Sequence, residues 1–457
     1  MVAQGGVVES SAIGRWSETL EELHGRIAGR FARSEARERA KRYLAGLLGR
    51  VERKNGWQMA ESIGEGDPQG VQRLLNSAKW DADAVRDDLR EYVAFHLGDE
   101  ESGVLIADET GFLKKGEKSV GVARQYTGTA GDTGNCQVGV FVAYASDKGA
   151  AFIDRALYLP GEWANDPERT AEAGVPKEVA FANKVELAKR MLERAFAAEV
   201  PARWVVADSF YGRSHEFRSW LEERERAYAV MVPKTNAVPL GGREKKIEQL
   251  AERLSEDAFS EVRPAHDSGG RRPWEWACLD LAPDPKKGMR RWLLVRRSTD
   301  DPDDLGFYQA YGPEGTPIEE LVRVCQDRWV VEECFAEAKK GRWASTTTRS
   351  GGGTPGTVTS PYACSPMPSW SSFGLPPAQK TLAKGGSRPR LDPSDGAGGA
   401  SYGTRDGRAR GAKTLPLGMV GVEEGAPSGG SPLLGRQTRR EARARQRRAA
   451  RNRRDRA

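Results

Sequence analysis

The sequence predicts an α/β chain in which a core sheet follows a helical N-terminal domain and is interrupted by a β-rich insertion before its last helix. Three observations carry this expectation. Apolar residues recur at helical spacing up to about residue 98. Two short apolar runs, Val104-Leu-Ile-Ala and Trp204-Val-Val-Ala, then each end on an aspartate, Asp108 and Asp208. Finally, Asp327 to Lys340, read as one helix, sets Trp329, Glu332, Phe335 and Lys339 at helical spacings, with Arg328 and Lys339 flanking the carboxylate.

Taken in order, residues 1 to 13 read as a loose tail, and the helical N-terminal domain spans 14–98. Leu20, Leu23, Ile27 and Phe31 mark its first helix, and Ala36, Ala40, Tyr43, Leu44 and Leu47 a second that stops at Gly49. Further helices fit Val71, Leu74, Leu75 and Ala78, then Val85, Leu89, Tyr92 and Val93. Arg37, Arg39, Lys41, Arg42, Arg50, Arg53 and Lys54 cluster here beside Trp57, which is either a solvated helix face or a surface for DNA ends. The first part of the core, 99–235, holds the two runs that end on aspartates. Each reads as a buried strand delivering an acid at its C-terminal end, where open α/β sheets place their chemistry. Between them fall strands at Val138–Ala145 and Ala156–Leu159 and a helix from about Lys177 to Ala198; Ala227–Val232 adds a fifth strand.

Residues 236–314 read as the β-rich insertion, with strands at Trp274–Leu281, Arg291–Arg297 and Leu305–Tyr311. Trp274, Trp276 and Trp292 are either its small core or, for Trp276 and Trp292, faces on which an extruded DNA base stacks. Residues 315–340 return to the core with the last acidic helix.

Composition narrows the function classes. The chain has 457 residues with 38% hydrophobic content, enough for two or three domains with a sizeable core. No long apolar run and no charged-then-apolar N-terminus is present, so a cytoplasmic protein without membrane contact is expected. Five cysteines without CxxC pairs argue against a disulfide framework or a zinc-finger cluster. The net charge of +6 is unevenly spread: residues 341–457 hold 21 Lys+Arg against 7 Asp+Glu, whereas the rest holds 50 against 58. The basic excess therefore lies in the last quarter, and the sum says little about partners.

The order of strands and helices, with acids after the first and fourth strands and on a late helix, resembles the ribonuclease-H-like fold. Asp-Glu-Thr-Gly-Phe-Leu-Lys-Lys-Gly (108–116), Ala-Asp-Ser-Phe-Tyr-Gly (207–212) and Arg-Trp-Val-Val-Glu-Glu-Cys-Phe (328–335) resemble the motifs of DDE transposases of bacterial insertion sequences. Arg328, Glu332 and Lys339 also match that family's Tyr-x-x-Arg-x-x-x-Glu-x-x-x-x-x-x-Lys signature, with Cys325 in the Tyr position.

The resemblance covers roughly residues 14 to 340. It implies a magnesium-dependent endonuclease and strand transferase in which Asp108, Asp208 and Glu332 hold two Mg²⁺, or Mn²⁺ in their place. Three carboxylates suit this role, because two hard cations on oxygen ligands serve both sides of a crowded phosphorus. Arg328 and Lys339 would contact phosphate, and Lys114 and Lys115 the DNA backbone. The partners implied are the element's terminal inverted repeats and target DNA, with a homodimer on the DNA. A ribonuclease-H-like nuclease acting on branched or hybrid nucleic acid, and a non-catalytic DNA-binding relic, are the alternatives.

After Lys340 the chain turns rich in Gly, Pro, Ser, Thr and Arg without periodicity. One reading is a disordered basic tail. The preferred one is that 341–457 is low-complexity sequence translated out of frame. Synonymous codons for residues 341–359, regrouped so that the last base of each codon joins the next two, permit Glu-Val-Gly-Leu-Asp-His-Tyr-Glu-Val-Arg-Arg-Trp-Asp-Ala-Trp-Tyr-Arg-His-Val. Such an aromatic-rich segment resembles the one that comes after the last acidic helix in this family. On this reading the polypeptide as written is an inactive or weakly active copy.

Overall fold

A computed structural model describes residues 10–49, 51, 54–128, 131–177, 179–262, 274–281 and 288–340; the tail from 341 lies outside the described residues. Five helices open the chain: α1 (Ser10–Ile27), α2 (Ser34–Leu48), α3 (Gly56–Ser62), α4 (Gln69–Asn76) and α5 (Ala82–Leu97). The first begins inside the segment read as a loose tail. Asn55 and Asp81 cap α3 and α5 through their side chains, satisfying amide groups that a helix start leaves open. Leu23, Ile27, Phe31, Leu44, Met59, Val71 and Leu89 fill one apolar cluster. Helix α5 is amphipathic in two directions: Val85, Leu89 and Tyr92 join that cluster, while Val93 and Leu97 pack on the sheet.

The sheet starts with β1 (Val104–Leu113), β2 (Ala123–Thr127), β3 (Asp132–Ser146) and β4 (Gly149–Leu157). Two short helices, α6 (Gly161–Ala164) and α7 (Pro167–Glu172), lead to α8 (Lys184–Ala197). Then come β5 (Trp204–Ala207), α9 (Ser209–Gly212), α10 (His215–Glu223) and β6 (Ala227–Met231). A small hairpin, β7 (Ala237–Leu240) and β8 (Arg243–Lys246), precedes α11 (Ile247–Ala251). The rest are β9 (Ser260–Glu261), β10 (Trp274–Asp280), β11 (Met289–Ser298), β12 (Leu305–Pro313), α12 (Ile318–Asp327) and α13 (Val330–Lys340).

Ten strands form one mixed sheet in the order β2-β3-β1-β5-β6-β12-β11-β10-β9, with β4 beside β3. Among the described strands, only β1–β5 and β5–β6 are parallel. Alternation assigns each strand residue to a side. Leu105, Ala107, Val205 and Val230 face the cluster under α5, α8 and α10. Val104, Ile106, Trp204, Val206 and Ala229 face the cluster under α12 and α13. Helices thus cover both sides, a mixed α/β arrangement compatible with a ribonuclease-H-like core.

Several expectations change in detail. The strand read as ending on Asp108 runs on to Leu113, because β3 keeps pairing with it as far as Leu113↔Cys136. The strand expected at Ala156–Leu159 lies earlier, and β2 was not expected. Helix α8 starts later than Lys177, at the Asn183 cap, whose side chain accepts from Glu186 N at 2.9 Å. Strands β10–β12 are not set apart: β12 pairs with β6 and extends the core sheet.

Candidate active site

The two aspartates meet because of the parallel register. Strands β1 and β5 run together to Ala107↔Ala207, so the next residues, Asp108 and Asp208, stand side by side where β5 ends. Asp208 caps α9: its Oδ1 accepts from Phe210 N at 2.8 Å and Tyr211 N at 3.4 Å. The motif around it is built for this turn. Tyr211 is fully buried, and a Cβ on Gly212 would collide with the Met231 carbonyl of β6, so only glycine lets α9 sit this close. Asp108 Oδ1 accepts from Glu109 N at 2.7 Å. Burial, then the neighbouring Asp208 and Glu109, push the Asp108 carboxyl up to about 8. Burial and Glu109 also raise Asp208.

Glu332 arrives from the other covering layer. Phe335, one turn further along α13, sits in an aromatic cluster with Phe141 and Phe152, and Phe141 is the cross-strand partner of Asp108. This anchors the start of α13 over the aspartates. The stretch read as a single helix is interrupted at Arg328 and Trp329, between α12 and α13. That break turns Arg328 inward, where it is 6% exposed. Its Nη2 donates to Glu332 Oε1 at 3.0 Å and its Nη1 lies 4.0 Å from Asp108 Oδ2. The guanidinium also stacks on Trp329, 4.0 Å from the ring centroid, and its Nε has no hydrogen-bond partner among the described residues. Arg328 is therefore the cation between two of the three carboxylates. Glu332 remains half-exposed, and among the described residues no three acidic, His or Cys side chains already converge on one metal position.

Other expected site residues are placed less centrally. Lys114 and Lys115 follow the end of β1, half-buried and exposed. The Lys339 side chain lies outside the described residues. Trp276 and Trp292 are 1% and 3% exposed, in the cluster with Leu294 and Tyr308. This is a correction to the stacking expectation, since neither ring has a face free for a base. In the basic N-terminal cluster, Arg39 pairs with Glu65, Lys41 with Glu21 and Arg42 with Glu38, while Arg37 donates to the Phe31 carbonyl. Arg50 and Arg53 lie outside the described residues.

Sequence reasoning passed over the support beneath the aspartates. Glu109 points to the opposite side of β1 from Asp108, where its Oε1 accepts from Lys184 Nζ at 2.8 Å. Lys184 also lies 4.9 Å from the Phe210 ring. Burial and the nearby Glu109 hold the Tyr211 proton on, well above the usual phenol range. Glu109 was legible as the neighbour of Asp108 in its motif. Lys184 gave no signal, because the irregular stretch before α8 hides where that helix starts.

A mixed sheet with two aspartates side by side where the β1–β5 parallel pairing ends, and a third acid on a covering helix, defines a carboxylate-centred α/β enzyme core. Comparison with known families makes this specific. Residues 26–255, half of the chain, match the family described as DDE superfamily endonuclease, and residues 175–353 match the transposase DDE domain. The chain belongs to the DDE superfamily endonucleases. It is also similar to a probable transposase for insertion sequence element IS701 from Microchaete diplosiphon, 28% identical over 284 residues, which are 61% of this chain and 68% of that protein. The family read from the three motifs is thereby borne out.

Proposed function

We propose that this chain is an insertion-sequence transposase that cuts DNA strands at the ends of its own element and joins them to target DNA, with Asp108, Asp208 and Glu332 as its catalytic acids. One observation carries the reading: Asp108 and Asp208 stand together where the parallel pairing of β1 and β5 ends, with Glu332 held one arginine away from Asp108. The donor set fits Mg²⁺ or Mn²⁺, since it offers only oxygens and its buried pair already suffers from uncompensated charge. Asp108 and Asp208 would hold the ions, with Glu332 as third ligand. Bound there, two such ions supply a polarised nucleophile and charge for the leaving oxygen.

The chain's own residues do the rest. The α9 cap fixes one Asp208 oxygen, and the Glu109 amide fixes one Asp108 oxygen, so both carboxylates are oriented in advance. Arg328, whose buried Nε has no partner among the described residues, offers a donor to a phosphate oxygen, Lys114 and Lys115 add cations for the DNA backbone, and Lys339 is taken as a phosphate contact from its place in the motif. In cleavage, water forms a bond to phosphorus and the 3′ oxygen leaves, taking a proton. In joining, that 3′-hydroxyl loses its proton, bonds to a target phosphorus and expels a target 3′ oxygen.

Two inverted ends suit a homodimer with two-fold symmetry. The helices of 14–98 are offered as an end-binding unit. The segment after Lys340 is read as out of frame, so this copy is weakly active or inactive as written. The test is strand cleavage of DNA flanking the gene, with Mg²⁺, by the chain whose frame after Lys340 has been repaired, before and after replacing Asp108 by Asn. The reading expects cleavage to vanish in the variant while binding persists, and an unchanged rate would sink it.

A further inference from the structure

The sheet extends past the aspartates as a ribbon that the proposed chemistry does not use. Beyond Asp108, β1 continues to Leu113, paired with Cys136 to Val140 of β3, whose other edge carries β4 from Gly139 onward and β2 over Asp132 to Cys136. The ribbon curls. Thr127, at the end of β2, is 3% exposed and packs on Gly111, where a Cβ would collide with its side chain. Alternation then divides the ribbon. Glu109, Gly111, Leu113, Ala123, Cys136 and Thr127 fall on the inside of the curl, and Asp108, Phe112, Lys114, Asn135, Arg124 and Tyr126 on the outside.

The outside is built, and it is charged. Lys114 N donates to Asn135 O at 2.9 Å, and Arg124 is the registered partner of Asn135 on its other edge, so Lys114, just past the end of β1, lines up with Asn135 of β3 and Arg124 of β2. Asn135 Nδ2 fixes the following loop through the carbonyls of Lys114 (3.0 Å) and Gly116 (3.1 Å). Trp163 Nε1 holds the loop's far end at the Val122 carbonyl, 2.8 Å away. Next to Arg124 on the same side stands Tyr126, an aromatic ring that is 67% exposed. Among the described residues, Lys114, Lys115, Lys118 and Arg124 form no ion pair; past Asp108 and Glu109, the described acids of the ribbon are Glu117 and Asp132. Lys114 lies roughly 20 Å of extended strand beyond Asp108, a span of about six base pairs.

We infer that the outer side of the β1–β3–β2 ribbon is a DNA track leading away from the aspartates, with Lys114 and Arg124 on phosphates and Tyr126 stacked on an unpaired base. It rests on the proposed role of Asp108. Cationic side chains at strand spacing follow a backbone, and an exposed ring beside them accepts any base, since every base has a π-face. No apolar partner surface fits a row of Lys and Arg, and charge complementarity with continuity to the acid site selects DNA.

The test measures binding of the full chain, in a chelator so that no strand is cut, to short duplexes copied from the DNA flanking its gene, with and without a single-stranded overhang. Arg124→Ala should weaken binding and lower the salt dependence by about one counterion. Tyr126→Ala should weaken binding to the overhang duplex at least about fivefold, and the blunt duplex far less, while Tyr126→Phe restores it. Both residues are exposed, so thermal melting should not move. Unchanged affinity and salt slope in both alanine variants would overturn the track while leaving the proposed cleavage untouched. Persistent cleavage in Asp108→Asn would instead remove the reading on which it rests, and a wild-type chain that binds no DNA would overturn both.

Discussion

Replacing Asp108 by Asn should stabilise the metal-free protein while removing its chemistry. The structure gives the reason: a buried carboxyl beside Asp208 and Glu109 has its proton affinity raised from 3.8 to about 8. A raised value means that the folded state binds more protons than the unfolded chain between those two values. Stability is therefore full below about pH 4, falls as pH rises, and is at its lowest above about pH 8. Each tenfold change in proton affinity is worth about 1.4 kcal/mol, so the ceiling is ~6 kcal/mol. Relaxation and water reduce this, and ~1–3 kcal/mol is expected.

The assay is thermal melting in a chelator from pH 5 to pH 8. The wild type should lose several degrees over that range, Asp108→Asn should lose less, and at pH 8 the variant should melt higher. Added Mg²⁺ at pH 8 should raise the wild type and leave the variant in place. If Asp108→Asn melts at or below the wild type at pH 8 without metal, the crowding of carboxylates is not what the geometry implies.

Other perturbations follow from the same contacts. Arg328→Ala removes the cation between Asp108 and Glu332, and should cost ~1–3 kcal/mol in melting experiments and reduce cleavage at least about 100-fold. Arg328→Lys should recover stability better than rate, because one ammonium does not replace a forked guanidinium. Gly212→Ala forces α9 off the Met231 carbonyl; a loss of ~1–3 kcal/mol and a larger relative loss of cleavage are expected, since Asp208 moves with the helix. Trp276→Ala should cost ~3–5 kcal/mol as a core truncation, with no change in DNA affinity once the protein is folded. Sequencing the gene across codon 341 should show bases that regroup into the aromatic-rich segment, and repairing that frame should raise activity.

How much of this was legible depended on how local each signal was. The runs Val104-Leu-Ile-Ala and Trp204-Val-Val-Ala announced buried strands, and the aspartates after them stand together because those strands pair in parallel. The length of β1 was hidden, because the residues after Asp108 lose the apolar run yet stay paired with β3. Strand β4 was misplaced in part because it carries Asp154, a buried charge that pairs with Arg194 and Arg86 on two helices distant in sequence. The tryptophans Trp276 and Trp292 were ambiguous between core and base stacking until the β6–β12 pairing placed them under α12. The roles of Arg328 and Lys184 depend on helix ends, which periodicity locates least well.

On the proposed mechanism, Asp108 and Asp208 hold divalent ions whose ligand set Glu332 completes. Mn²⁺ binding followed by its paramagnetic resonance signal, on the wild type and on Asp108→Asn, Asp208→Asn and Glu332→Gln, tests it whatever the activity of this copy. The two aspartate variants should lose the bound signal, and Glu332→Gln should weaken it. Mn²⁺ held as tightly by Asp108→Asn as by the wild type would contradict that mechanism.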